Sequence, residues 1–494
     1  MKITAPIEFG GEPAVATSRL NAPPVAVRAA VAASLTAICP TTAAAGARAE
    51  AGRDWWPLAL HWSLANQVPA IPAVVCSPRS TDEVVAVLRL AQAHLLPVTP
   101  AGGRSGVCGA SVPLFGGIAL DLTAMSGLVS IDETSLVAEV LAGTFGPDFE
   151  TALNDHGYTC GHFPQSFDIS TVGGWAACRG AGQYSTRYGK IEDMVVGLEV
   201  VLADGTVIRT GGAPRAAVGP DLTSLFVGSE GTLGVITKVW LRIHPRPTAS
   251  VRAAYSFPTF VEGVEACRRI LRRGATPAVL RLYDGPESAR GHGGDGIQCV
   301  LLVFDEADAA IIAATAGVVA EECASAAELD VALVDNWMAH RNDTSALQGL
   351  TRKGFVVDTM EIAAPWSALD RIFDDARAAL LAVPHARAAT CHLSHSYTDG
   401  ACLYFTFAAT PPATDVESTY VALWDAGTRA VLAAGGNLSH HHGVGLNRAR
   451  FVSDALGTAF GVLTAMKHAL DPTGILNPGK LGLPHPFGAH AWPI

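Results

Sequence analysis

The stretch NLSHHHGVGLNRAR (437–450) sets three consecutive histidines beside Gly-Val-Gly. Imidazoles can ligate a metal, move protons near neutral pH, or simply line a polar loop. A structural zinc site needs three or four convergent ligands. Neighbours on an extended segment point to opposite faces, so at most two of His440, His441 and His442 converge and no metal is expected.

Three glycine-rich loops offer a second kind of chemistry. PAGGRSGVCGA (100–110) follows a short apolar run, and glycine there lets backbone amides approach an anion such as a phosphate. It carries neither the Lys-Ser/Thr of a P-loop nor GxGxxG. PQSFDISTVGGWAACRGAGQYSTRYGKIEDMV (164–195) and GPDLTSLFVGSEGTLGVITKV (219–239) supply the other two. Three such loops beside strands exceed what turns require. They suggest a long, flat, phosphate-bearing cofactor held by backbone groups.

The elements that must position these loops are legible in outline. Ser80 and Glu83 form a capping box ahead of an apolar pattern at helical spacing, and a strand over Leu96–Thr99 follows. SLVAEVLAG alternates like a half-buried strand, and VVGLEVVLADGTVIRTGG reads as two strands about an Asp204-Gly205 turn. Composition shifts near HPRPTAS (244–250). Beyond it, SVRAAYSF, a helix to about 275, AVLRLYD and QCVLLVF form an α+β pattern. A long helical pattern from about 414 stops at Gly435 and Gly436, immediately before the histidines.

Totals bound the answer. A chain of 494 residues exceeds one core. The 34 Lys+Arg against 45 Asp+Glu give a net charge of −11 with no basic run, which excludes a backbone-contacting nucleic-acid binder. No apolar run reaches the roughly 18 residues of a membrane span, and the start lacks the apolar core of a secretory signal. The ten cysteines show no CxxC, as expected of free thiols in a cytoplasmic protein.

The three loops, in this order, resemble the FAD-binding (PCMH-type) fold of the vanillyl-alcohol-oxidase superfamily. Together with VLRLYD, HSYTDGACLYFTF and SHHHGVG, they are most similar to the alkyldihydroxyacetonephosphate synthases over roughly residues 60 to 480. The resemblance implies an α+β protein: an N-terminal helical segment (1–66), a two-subdomain FAD-binding domain (67–247), an α+β cap (248–435), and a C-terminal segment (436–494) returning to the flavin.

By the same match, Pro100, Gly102, Gly103, Arg104, Ser105, Gly106 and Gly109 cradle the pyrophosphate. Ser170, Thr171, Gly173 and Gly174, with the turn Arg179-Gly180-Ala181-Gly182, line the flavin. Glu230, Gly231, Thr232, Gly234, Val235 and Ile236 meet its isoalloxazine or ribityl portion. The first loop lacks the histidine through which some relatives attach FAD covalently, so FAD is expected to be non-covalent and Cys108 a packed thiol.

The implied catalytic group is Tyr397, His441, His442 and Arg281. Arg281 would hold a carboxylate or phosphate. A phenol is a poor base unless neighbouring cations lower its pKa, so Tyr397 is expected to draw on Arg281 and the histidines. His392 stands where the synthases have an arginine, and the 2-hydroxy-acid dehydrogenase metal motif is missing; His392 and His395 are left without a role. Trp55 and Trp56 are read as structural.

Two activities fit: oxidation of a hydroxy acid or related alcohol, with hydride passing to flavin N5, or ether formation without net oxidation. The first predicts a polar pocket and the second an apolar tunnel. The lost arginine favours the oxidoreductase, acting on a small molecule, without nucleic acid or membrane segment, as a possible homodimer.

Overall fold

The computed structural model describes residues 6–490 and 492; the first five residues, part of the expected N-terminal segment, and the last residues of the expected C-terminal one lie outside it. Three sheets organise the chain. Val74–Cys76, Ile118–Asp121 and Val98–Ala101 run parallel, with the two-residue strand Thr41–Thr42 antiparallel at the edge. The expected strand at Leu96–Thr99 therefore begins two residues later, because Leu96 still packs under the preceding helix. That helix, Thr81–Ala93, starts at the predicted cap, where Ser80 Oγ accepts from Glu83 N at 3.2 Å.

A five-stranded antiparallel sheet follows, ordered Val207–Arg209, Val195–Val201, Val235–Arg242, Val137–Leu141, Leu128–Asp132. The Asp204-Gly205 hairpin is present, with Gly205 at φ +80° and Glu199 opposite Arg209.

The third sheet has seven antiparallel strands: Ala327–Glu328, Ala249–Phe257, Cys299–Ala307, Val279–Tyr283, Ala386–Ser396, Gly400–Ala409 and Val356–Pro365. Side chains alternate between its faces. Leu282, Leu393, Leu403 and Ile362 stand opposite one another across four adjacent strands and join the apolar core with the helices Phe260–Arg272, Leu369–Leu381 and Val416–Ala433. One residue along each strand, the row becomes Tyr283, His392, Tyr404 and Glu361. The pleat thus carries one row inward and delivers four reactive side chains to the other face.

Four consecutive residues of the short helix Ser185–Tyr188 fasten this sheet to the glycine-rich half. Ser185 Oγ lies 2.7 Å from His395 Nδ1, Thr186 Oγ1 accepts from Ser396 N at 3.1 Å, Arg187 grips both oxygens of Asp305, and Tyr188 donates to Glu306 at 3.1 Å. The C-terminal stretch returns as expected. Asn477 Nδ2 donates to Ala110 O and Glu230 O, at 2.9 and 2.6 Å.

Candidate active site

The cavity between the glycine-rich loops and the seven-stranded sheet holds about 560 Å³. Of the first loop, Pro100, Gly102, Gly103, Arg104, Ser105 and Gly106 line it. A Cβ on Gly102 would meet Thr171 Oγ1 at 2.1 Å, and one on Gly103 would meet Ile169 O at 1.8 Å, so these positions admit only glycine. Ser170, Thr171, Gly173, Gly174, Gly180 and Ala181 form the next part of the wall, and Glu230, Gly231, Gly234, Val235 and Ile236 the third.

Five expected site residues sit elsewhere. Gly109 backs onto Trp56 and Leu446, and Gly182 onto the 162–163 backbone. Thr232 is buried, its hydroxyl donating to Ser229 O. Arg179, at φ +57°, turns outward to Glu192. Tyr397 is the fifth. Trp55, expected to be structural, lines the cavity, whereas Trp56 is fully buried and donates to Tyr420.

The residues present fit FAD. A glycine-rich loop, closely packed at Gly102 and Gly103, lies beside buried donors without protein partners among the described residues, Ser111 Oγ and Arg104 Nη2, both on the cavity wall.

The histidine loop is shaped by two buried carboxylates. Glu361 Oε1 accepts from Ser439 Oγ at 2.6 Å and from the backbone amides of His441 and His442 at 3.1 and 2.8 Å. Glu230 accepts from the amides of Val444 and Gly445 at 2.5 and 2.9 Å. The glycines of the motif follow from this grip. At Gly443, φ +79°, a Cβ would strike Glu230 Oε1; at Gly445, φ +52°, it would strike Cys108 O. Glu230 therefore positions the loop rather than merely facing a cofactor. Burial alone would raise the Glu361 carboxyl, but the guanidinium of Arg448 and the neighbouring His442 hold it well below the usual range. His442 Nδ1 lies 3.0 Å from Glu361 Oε2.

His441 and His442 reach the cavity; Tyr397 and His440 stand behind them. The Tyr397 hydroxyl lies 2.9 Å from His440 Nε2, and His440 Nδ1 lies 2.8 Å from His441 Nδ1. Burial pushes the phenol up and a hydrogen bond with Ser185 offsets it in part, while Arg281, expected to activate it, is not among the groups of the described residues that act most strongly on it. Burial also holds His440 and His441 well below 6.5, so both are neutral.

Two of the three loop histidines converge, as expected, and His395 joins them from its strand. Their ligand atoms lie within 4.8 Å of one another. Those of His440, and Nδ1 of His395, are already hydrogen-bonded.

Arg281 lines the cavity, donating to Tyr283 Oη at 2.8 Å and His392 Nε2 at 2.7 Å. His392 Nδ1 in turn lies 2.9 Å from Glu287 Oε2. Burial, then Arg281, push His392 down to about 4, so it accepts from Arg281 without competing as a cation. Neither partner of Arg281 is an anion. Sequence reasoning left His392 without a role, and missed Glu361, since a strand glutamate has no motif around it.

Fold and cavity together define a flavin-dependent enzyme in which the glycine-rich loops and a sheet face one cavity. Residues 72–211 match the FAD binding domain, and residues 246–481 match the C-terminal domain of FAD linked oxidases. An uncharacterised FAD-linked oxidoreductase of Escherichia coli, YgcU, is 33% identical over 83% of this chain and 89% of its own. Alkyldihydroxyacetonephosphate synthase of Dictyostelium discoideum is 29% identical over 84% and 74%. Glycolate oxidase subunit GlcD of Bacillus subtilis is 29% identical over 86% and 92%. A solved alkyldihydroxyacetonephosphate synthase superposes with TM-score 0.78 at 25% identity, covering 92% of this chain and 86% of that one.

The chain belongs to the FAD-linked oxidoreductases of the vanillyl-alcohol-oxidase superfamily, and FAD is its cofactor. Among the described residues, no helix is long and apolar enough to cross a membrane.

Proposed function

We propose that the protein oxidises the hydroxyl-bearing carbon of a small hydroxy acid or related alcohol, with non-covalent FAD. One observation carries this reading: the wall that the seven-stranded sheet contributes is polar, and Arg281 on it lacks a carboxylate partner among the described residues. A guanidinium without an anion in a half-buried site favours a ligand that supplies one. Tyr283, His392, Ser394, Tyr404 and Thr406 line the cavity on this sheet, with Val357, Trp337 and Leu347 among its apolar lining. Glycolate oxidase subunit, the name of one relative, agrees with the hydroxy-acid class.

In this reading Arg281 orients the substrate carboxylate. His441 receives the hydroxyl proton at its one ring nitrogen outside the relay, Nε2. For that nitrogen to accept, His441 Nδ1–H donates to His440 Nδ1, and His440 Nε2–H donates to the Tyr397 oxygen. As His441 Nε2 gains the proton, its Nδ1 proton passes to His440 Nδ1, so the charge rests on His440, outside the cavity, with His440 Nε2–H still donating to Tyr397. His442, anchored to Glu361, fixes the loop and offers a donor to the substrate. When bound, FAD supplies the acceptor for the hydride leaving the carbon. The expected FAD and cap segments (67–247 and 248–435) and a cytoplasmic location belong to the same proposal.

The likeness to alkyldihydroxyacetonephosphate synthases, together with the SHHHGVG loop, supports ether formation as the second reading. An anaerobic absorbance titration of the yellow holoenzyme separates them. Bleaching by a hydroxy acid is expected. No bleaching, with acid release and ether product from acyl-dihydroxyacetone phosphate plus fatty alcohol, would overturn the oxidoreductase reading.

A further inference from the structure

Arg341 ends the helix Ala332–His340 and lines the same cavity as Arg281. The two guanidinium carbons lie 5.8 and 5.7 Å from the centroid of one ring, that of Trp337. Arg341 is held in place from several sides. Its Nη1 donates to Gln183 Oε1 at 3.1 Å, Gln183 Nε2 donates back to its carbonyl at 3.2 Å, and its guanidinium lies 4.8 Å from the Tyr184 centroid and 5.6 Å from that of Phe163. The aromatic faces attract the cation, and of these rings Tyr184 also offers its hydroxyl as a hydrogen-bond partner.

No carboxylate among the described residues lies within ion-pair distance of Arg341. The carboxylates on this wall are already engaged: Glu287 by His392 and Thr390, Asp358 by Tyr420 and Trp424, and Asp343 likewise. Glu306, on the far side of Arg341, accepts from Tyr188 at 3.1 Å. Two fixed guanidiniums therefore stand beside one indole, neither in an ion pair among the described residues, with Glu306 near enough to feel the charge of Arg341 from its far side.

We propose that Arg341 is a specificity-determining residue forming a second anion subsite, so that the substrate is a hydroxy acid with a further carboxylate a few carbons from the first. This rests on the reading of Arg281 and the hydroxy-acid class above. A monoacid satisfies Arg281 and leaves Arg341 facing a methyl group; a diacid satisfies both. Arg341 takes no part in proton movement, and its effect is confined to which acids bind.

The test uses the holoenzyme and two inert probes of equal length, glutarate and valerate, read by perturbation of the flavin absorbance. The reactive counterparts, both enantiomers of 2-hydroxyglutarate and of 2-hydroxyvalerate, are read by anaerobic flavin reduction. Glutarate is expected to bind at least tenfold more tightly than valerate. Arg341→Met should bring that ratio close to one, and Arg341→Lys should restore part of it.

A ratio near one in the wild type, or a ratio untouched by Arg341→Met in a protein that retains FAD, overturns the subsite. Glutarate preference that depends on Arg341, with no hydroxy acid reducing the flavin, keeps the subsite and removes the hydroxy-acid oxidation. Neither binding nor reduction removes both.

Discussion

His440 and His441, adjacent in the chain, face each other through their Nδ1 atoms at 2.8 Å, and Tyr397 closes the far end of the pair on His440 Nε2. One proton must occupy the bond between the two Nδ1 atoms, and its position decides whether the cavity sees a donor or an acceptor. Tyr397→Phe removes the terminal partner while preserving the ring. Flavin reduction by substrate should slow on the order of 10², the lower end of what a positioned proton-transfer group contributes. Flavin content should stay unchanged. Stopped-flow reduction at wild-type speed in this variant would exclude the relay.

The pH dependence of stability follows from groups held neutral by burial. His395, His440 and His441 sit well below their ordinary pKa of about 6.5, and His392 is pushed down to about 4. The unfolded chain binds more protons on these groups below pH 6.5, so their contribution is present above that pH and lost as pH falls through the folded values. Glu361, also depressed, works in the same direction, losing its contribution below the usual carboxylate range. Asp54, pushed up to about 7 by burial, and Asp284 and Asp358, pushed up to about 6, work the other way over this window, but the depressed histidines outnumber them, so the urea midpoint should still fall from pH 7.5 to pH 4.5. A midpoint that rises over that range would contradict the dominance of the buried, uncharged histidines.

Glu361 and Arg448 form an ion pair in which both side chains are fully buried. Arg448 Nη1 also donates to Leu438 O at 3.2 Å, so the pair ties the edge strand of the seven-stranded sheet to the histidine loop. Removing one partner of such a pair strands the other charge and costs about 3–5 kcal/mol. Glu361→Gln should therefore lower the urea midpoint and displace His441 and His442, so that substrate affinity falls as well. Arg448→Met in the Glu361→Gln background should recover part of the stability. Failure of the second change to recover any would show that the loop contacts, not the stranded charge, carry the loss.

How far the sequence reached depended on whether a residue acts through its neighbours along the chain or across the sheet. Ser80, Gly205 and Gly435 mark element ends through local backbone chemistry, and each stands where the pattern places it. The row Tyr283, His392, Tyr404 and Glu361 comes from four strands whose pairing skips in sequence, and no local pattern encodes that register. Tyr397 illustrates the other failure. Its motif marks it, yet it sits past the end of the strand Ala386–Ser396 and meets His440 instead of the cavity. Arg341 carried no signal at all, since an arginine ending a helix reads as a favourable charge at its negative end.

Two glycines of the first loop, three residues apart, separate protein packing from cofactor contact. At Gly103 a methyl group would collide with Ile169 O at 1.8 Å, and that atom is backbone, unable to step aside as a side-chain end could. At Gly106 the nearest protein atom is Asp54 Oδ2 at 3.6 Å, an ordinary contact. Gly103→Ala should therefore shift the loop, giving protein with much reduced flavin content that excess FAD restores poorly. Gly106→Ala should fold with wild-type thermal stability in the apo form, because the protein itself has room. Any flavin loss in Gly106→Ala then reports the cofactor's own demand for space above the loop. If Gly106→Ala also retained full flavin, backbone approach at Gly106 would be ruled out, and the cradle would reduce to Gly102 and Gly103. The paired measurement is absorbance at the flavin band per mole of protein, with circular dichroism melting of each apo form.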